Sequence, residues 1–254
     1  MVMNVHQFRD KHKDERVFLV GNGPSLKKTP LDELQGEHTI AMNRIALLYD
    51  RLQWRPTYYI CTTINIERLE WRKDILATIS MGIPSFVWEE LGGHVQPYEN
   101  VVYLHCTHGK EVTRHAPDDW WSYDIAERVC KFGTSMLVAL QVAVYMGFNP
   151  IYLLGCDLGF RSPSAFKGGG LLGKMLMQVG LKARDPNHFS PSYGTPGLAP
   201  NILNHNMLSA HELALRATKK IGVQVFNATV GGQLEVYPRL HLKQLLKQGA
   251  TSLG

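Results

Sequence analysis

The chain lacks the marks of a membrane or secreted protein. In its 254 residues no apolar run approaches the ~18 residues that a membrane-spanning helix needs. The stretch from Met1 to Arg16 is polar and charged, without the apolar core of a signal peptide. Cysteine is scarce: Cys61, Cys106, Cys130 and Cys156 are widely spaced, form no CxxC pair and sit in or beside apolar stretches. They read as buried free thiols in a reducing compartment, not as a disulfide framework or a zinc site. No run of five Lys or Arg occurs, which disfavours nucleic acid as a partner. H-E-x-x-H, Gly-x-Ser-x-Gly and Gly-x-x-x-x-Gly-Lys-[Ser/Thr] are all missing, which sets aside the zincins, the common serine hydrolases and the P-loop enzymes. No metal site is read anywhere in the chain, and there is no internal repeat. These absences leave a cytoplasmic globular protein. With 44% hydrophobic residues, the chain can bury the core of one domain spanning 1–254.

What is present begins with charge. A formal net charge of +5 suits an anionic ligand such as a nucleotide or an acidic sugar, and a weak attraction to an anionic membrane surface, here the inner face of the membrane. The most informative stretch is Val17-Phe18-Leu19-Val20-Gly21-Asn22-Gly23-Pro24-Ser25-Leu26. Four apolar residues predict a short buried strand. The Gly-Asn-Gly that follows predicts a tight turn able to bring backbone N–H groups to a ligand, with Ser25 capping a short helix. A strand running into a glycine turn is where open α/β sheets bind nucleotides, although a plain strand-to-helix turn has the same appearance.

The rest of the chain alternates between strands and helices. Strands are predicted over 38–44, 57–63, 83–88, 100–104, 150–157 and 223–227, and helices over 67–80, 136–146, 206–221 and 240–248. Residues 105–123 read as a loop, in which Trp120-Trp121 is either core or an oligomer interface. The helix after Gly133-Thr134-Ser135 is apolar almost all round and ends at Gly147. The basic terminal helix, with Leu240, Leu242, Leu245 and Leu246, is either packed on the domain or laid on a membrane surface. Residues 161–200 are punctuated by Gly and Pro and predict a mobile lid. The alternation predicts an α/β, Rossmann-like, doubly wound and mainly parallel sheet with a lid-like insertion.

In such a sheet the carboxyl ends of the strands face the ligand crevice. Gly21, Asn22 and Gly23, then Asn43, then Gly155 and Asp157, all fall at strand ends. Asn43 can fix a base or a sugar. Thr134 and Ser135 either cap a helix or hold a phosphate or ribose. Asp157 is either a turn carboxylate or a ligand-binding one. His188 lies in the lid segment beside Asp185, Asn187 and Tyr193, where a group titrating near neutral pH can serve as a general base.

Taken together, Val17 to Leu26, Asn43, the Thr134-Ser135 start of the apolar helix, the Ile151-Tyr152-Leu153-Leu154-Gly155-Cys156-Asp157 block and Asn187-His188-Phe189 resemble, in order and spacing, the bacterial CMP-sialic-acid-dependent sialyltransferases of the lipooligosaccharide type. They also resemble the related domain family named after an archaeal 6-hydroxymethylpterin diphosphokinase. The resemblance spans Val17 to Phe226 by scattered motifs. It implies a glycosyltransferase with a nucleotide-sugar donor, either CMP-sialic acid or another CMP-nonulosonic acid, and a glycan or similar hydroxyl acceptor. It further implies that Gly21, Asn22, Gly23, Ser25, Asn43, Thr134, Ser135, Gly155 and Asp157 hold the nucleotide. His188 would act as general base, with inversion and without a metal. There are departures. Leu158, Gly159 and Phe160 offer no hydroxyl where those transferases carry tyrosines, and Phe132, beside Lys131, replaces an arginine. Two other functions are carried alongside: a Mg²⁺-dependent pyrophosphokinase acting on a pterin-like alcohol, with Asp157 on the metal, and a non-catalytic nucleotide-binding protein.

Overall fold

The computed structural model describes residues 3–95, 98–108, 118–161, 185–194 and 200–250. Seven strands form the central sheet: β1 (Val17–Val20), β2 (Thr39–Met42), β3 (Tyr58–Cys61), β4 (Ser85–Trp88), β5 (Val101–Leu104), β8 (Ile151–Leu154) and β9 (Val225–Asn227). Their order is β5-β4-β3-β2-β1-β8-β9 and every pairing in it is parallel. The strands are short, apolar and covered on both faces, as a parallel sheet requires. Helices α1 (Leu69–Ile79), α2 (Ser135–Tyr145), α3 (Pro200–Lys220) and α4 (Leu242–Ala250) flank the sheet. The architecture is the expected α/β Rossmann-like fold, and strand order reverses between β1 and β8.

One sequence expectation is corrected here and two open alternatives are resolved. Residues 105–123 are not all loop, because β6 (Cys106–His108) pairs in parallel with β7 (Val129–Lys131) in a second, small sheet. Three-residue strands with no alternation leave too short a pattern to read. Trp121 is buried and Trp120 packs on Phe132 at 4.9 Å, so this pair belongs to the interior. The terminal helix turns Leu242 and Leu245 into the core, so protein covers its apolar face. Among the described residues no helix is long and apolar enough to cross a membrane. All four cysteines are free and buried, as expected. Of the expected lid, residues 162–184 and 195–199 lie outside the described residues.

Helix α2 shows why one polar residue sits on an otherwise apolar surface. Gln141 is fully buried. Its Oε1 accepts from the amides of Ser122 and Cys130, each at 3.0 Å, and its Nε2 donates to the carbonyls of Cys130 at 2.8 Å and Leu137 at 3.0 Å. One side chain thereby satisfies backbone groups of Ser122 and of Cys130 in β7 and ties α2 to both segments. Gly147 ends the helix in the left-handed region, φ 84°.

Candidate active site

A cavity of about 580 Å³ opens at the carboxyl ends of β1 and β8, where strand order reverses. Its wall brings together Gly21, Asn22, Gly23, Asn43, Thr134, Ser135, Gly155, Asp157 and His188, residues scattered over most of the chain. Of the nominated residues only Ser25 is absent from the wall.

The glycine turn is shaped by β8. Gly21 N donates to Leu154 O at 2.8 Å and Gly23 N to Gly155 O at 2.9 Å, so these two N–H groups are tied to the protein and do not face a ligand. A Cβ on Gly21 would stand 2.6 Å from Gly155 O, and one on Gly23 only 1.8 Å from Asp157 Oδ2. The glycines are needed for this close approach. Ser25 does not cap the short 3₁₀ turn Pro24–Lys28; Gly23 occupies the capping position and Ser25 lies inside the turn. Its backbone N donates to Asp157 Oδ1 at 3.1 Å and its Oγ to Oδ2 at 2.7 Å. Burial pushes the Asp157 carboxyl up, and the two bonds from Ser25 oppose that shift. Ser25 and Asp157 thus brace the turn against the end of β8.

Across the cavity, Thr134 caps α2, its Oγ1 accepting from Met136 N at 3.2 Å. The positive end of the helix therefore faces the cavity. Ser135 Oγ shares a hydrogen bond with Thr62 Oγ1 at 3.1 Å and accepts from Asn43 Nδ2 at 3.3 Å. Asn43 sits in the left-handed region, φ 52°, which an asparagine at a strand end tolerates. Asn22 Nδ2 donates to Met42 O at 3.1 Å. The side-chain oxygens Asn22 Oδ1 and Asn43 Oδ1 are buried without a hydrogen-bond partner among the described residues. A buried acceptor left unpaired costs about 1–3 kcal/mol, so both oxygens are able to accept from a donor group placed in the cavity.

His188 is buried in the wall, with Nδ1 2.7 Å from Asp185 Oδ2. Asp185 is itself buried, and its Oδ1 accepts from Asn187 N at 2.8 Å. A carboxylate only accepts, so in the neutral imidazole Nδ1 carries the proton and Nε2 the lone pair. The imidazole stacks on Tyr193, centroids 3.9 Å apart and planes 10° apart, and meets the edge of Phe160 at 5.6 Å. The segment bearing it is bolted down at three points. Phe189 N donates to Asn22 O at 3.1 Å. Asn187 and Arg161 exchange two hydrogen bonds of 2.8 and 2.9 Å. Buried Arg44 donates to the carbonyls of Ser192 and Tyr193 while pairing with Asp74 of α1.

Sequence reading missed Arg44 and Arg161. Arg44 directly follows the nominated Asn43, but its partners lie 30 and about 150 positions away. Arg161 lines the cavity and is exposed. It follows Leu158-Gly159-Phe160, and no local pattern marks it. Lys131, the cation nearest in sequence to the absent arginine, instead lies 3.8 Å over the Trp88 ring, and Phe132 is buried against Trp120.

No protein-family profile matches this chain, and no curated protein does. Several solved structures are similar to it. The MAf glycosyltransferase from Magnetospirillum magneticum AMB-1 is 17% identical over 96% of this chain, with a TM-score of 0.48. This chain spans only 37% of that protein's length. The sialyltransferase CstII from Campylobacter jejuni, in complex with the substrate analogue cytidine-5'-monophosphate, is 13% identical over 90% of this chain and 85% of its own, with a TM-score of 0.47. The sialyltransferase CST-II in complex with a trisaccharide acceptor and CMP is 14% identical over 89% and 86%, again at 0.47.

Proposed function

We propose that this chain is a glycosyltransferase that moves a sugar from a nucleotide-linked donor, a CMP-nonulosonic acid such as CMP-sialic acid, to a hydroxyl acceptor. The observation that carries the reading is His188 in the wall of the carboxyl-end cavity, held from behind by buried Asp185. His188 Nε2 takes the proton of the acceptor hydroxyl, and the freed oxygen attacks the anomeric carbon. The bond from that carbon to the phosphate oxygen breaks, its electron pair leaves with CMP, and configuration inverts. Asp185 holds the tautomer and stabilises the imidazolium that forms. The amino end of α2 and the guanidinium of Arg161 supply positive charge for the departing phosphate. Asn22 Oδ1 and Asn43 Oδ1 accept from the amino group of the base or from ribose hydroxyls.

A pyrophosphokinase would need Mg²⁺ held by carboxylates. Asp157 is the one carboxylate among the described residues lining this cavity, and both of its oxygens already accept from Ser25. That arrangement favours the transferase.

The test pairs ligand preference with one substitution. Calorimetry against CMP, CDP, UDP, ADP and ATP, with and without Mg²⁺, should show a preference for CMP that does not depend on metal. His188→Ala should then cut transfer from a CMP-sugar by roughly 10²–10⁴-fold with CMP affinity unchanged. Unchanged turnover in this variant, or a Mg²⁺-dependent preference for ATP, overturns the proposal.

A further inference from the structure

At the amino end of the sheet, opposite the cavity, three side chains with metal-ligating atoms converge. His12 and Glu15 precede β1, and His38 immediately precedes β2. Glu15 Oε2 is 2.7 Å from His12 Nδ1 and 2.8 Å from His38 Nε2. The three ligand atoms all lie within 4.8 Å of one another. His12 is buried and its ring is held on several sides. It stacks on Phe148 at 4.6 Å and 7°, and its Nε2 is hydrogen-bonded to Tyr58 Oη at 2.6 Å. The His38 ring tilts against both His12 and Phe148, at 4.2 and 5.6 Å.

We propose that His12 Nδ1, Glu15 Oε2 and His38 Nε2 bind one divalent transition-metal ion, Zn²⁺ being the best fit, and that the ion pins the chain's amino-terminal segment to the foot of the sheet. Two imidazoles and one carboxylate are a donor set that Zn²⁺ takes readily. The fourth position falls on the open side, where Glu15 and His38 are half-exposed, and water completes it. When the metal takes Nδ1, the His12 proton moves to Nε2 and is donated to Tyr58 Oη, the outer-shell contact that ligating histidines usually make. Zn–N and Zn–O bonds of about 2.0–2.2 Å put tetrahedral ligand atoms about 3.4 Å apart. The two contacts to Glu15 must therefore widen by roughly 0.6 Å, which a half-exposed glutamate can supply by rotation. The site is remote from His188, and the proposal does not rest on the transferase reading.

The whole chain, stripped with EDTA, is titrated with Zn²⁺ by calorimetry and with Co²⁺ by visible absorption. One Zn²⁺ per chain, a raised melting temperature and the intense d–d bands of four-coordinate Co²⁺ without thiolate charge transfer are expected. Tyr58→Phe should weaken Zn²⁺ binding by roughly 10–100-fold, and Glu15→Gln and His38→Ala should weaken it more. Three results overturn the proposal: no saturable uptake, Zn²⁺ affinity that survives both ligand substitutions, or a Co²⁺ spectrum of thiolate or six-coordinate type. Should a variant fail to fold, the Co²⁺ spectrum of the unaltered chain still decides.

Discussion

Arg44 shows how one side chain can govern the candidate base without touching it. Its guanidinium pairs with Asp74 on α1, donates to the carbonyls of Ser192 and Tyr193, and lies 5.2 Å from the centroid of Trp71. Removing it outright would leave the partly buried Asp74 carboxylate without its partner. Arg44→Lys is the cleaner probe, because it keeps the charge beside Asp74 but cannot fork to both carbonyls. Amide exchange over residues 189–193 should then accelerate and transfer should fall about tenfold, with CMP affinity retained. Unchanged exchange would show that Phe189 and Asn187 hold the segment unaided. None of this was legible locally: Asn43 advertises itself by following a strand, whereas the value of Arg44 depends on partners distant in sequence.

At the scale of elements, α2 positions the cavity's positive end, and Gln141 positions α2. Gln141→Leu should lower stability by about 3 kcal/mol, read from the denaturant midpoint, because it leaves two buried amides and a carbonyl of β7 and its approach without partners. A change below about 0.5 kcal/mol would mean that water replaces the amide. The sequence announced this helix through its apolar run, its Thr-Ser start and Gly147. It gave no sign that the single polar residue is interior. On an apolar helix surface a glutamine looks like the solvent face, and the groups it satisfies outside its own helix, in Ser122 and in the unread β7, are supplied only by the fold.

For the molecule as a whole, pH tests the packing of α3. His211 is buried, and burial lowers its pKa from 6.5 to about 4; its Nδ1 lies 3.2 Å from Tyr237 Oη. A histidine depressed in the folded state binds protons more tightly when unfolded. Its contribution is therefore fully present above pH 6.5 and is lost as pH falls toward 4. The loss should reach roughly 3 kcal/mol at pH 4. Buried His12, also depressed by burial, acts with the same sign. His211→Gln should flatten the stability profile across that window, and an unaltered slope would place the acid sensitivity elsewhere.

The strands of the central sheet, the parallel α/β class and nine residues of the cavity wall were readable from the chain alone, because they rest on local physics. Four apolar residues before a glycine turn, a capped apolar helix and polar residues at strand ends carry their meaning within a dozen positions. What needed the folded chain was pairing at a distance. Ser25 and Asp157, both nominated as ligand-holding residues, brace each other, Asp157 from within the cavity wall and Ser25 from behind it. Asp185 became the partner of His188, and His12, Glu15 and His38 met at the foot of the sheet, through register and packing between segments that sequence spacing does not join.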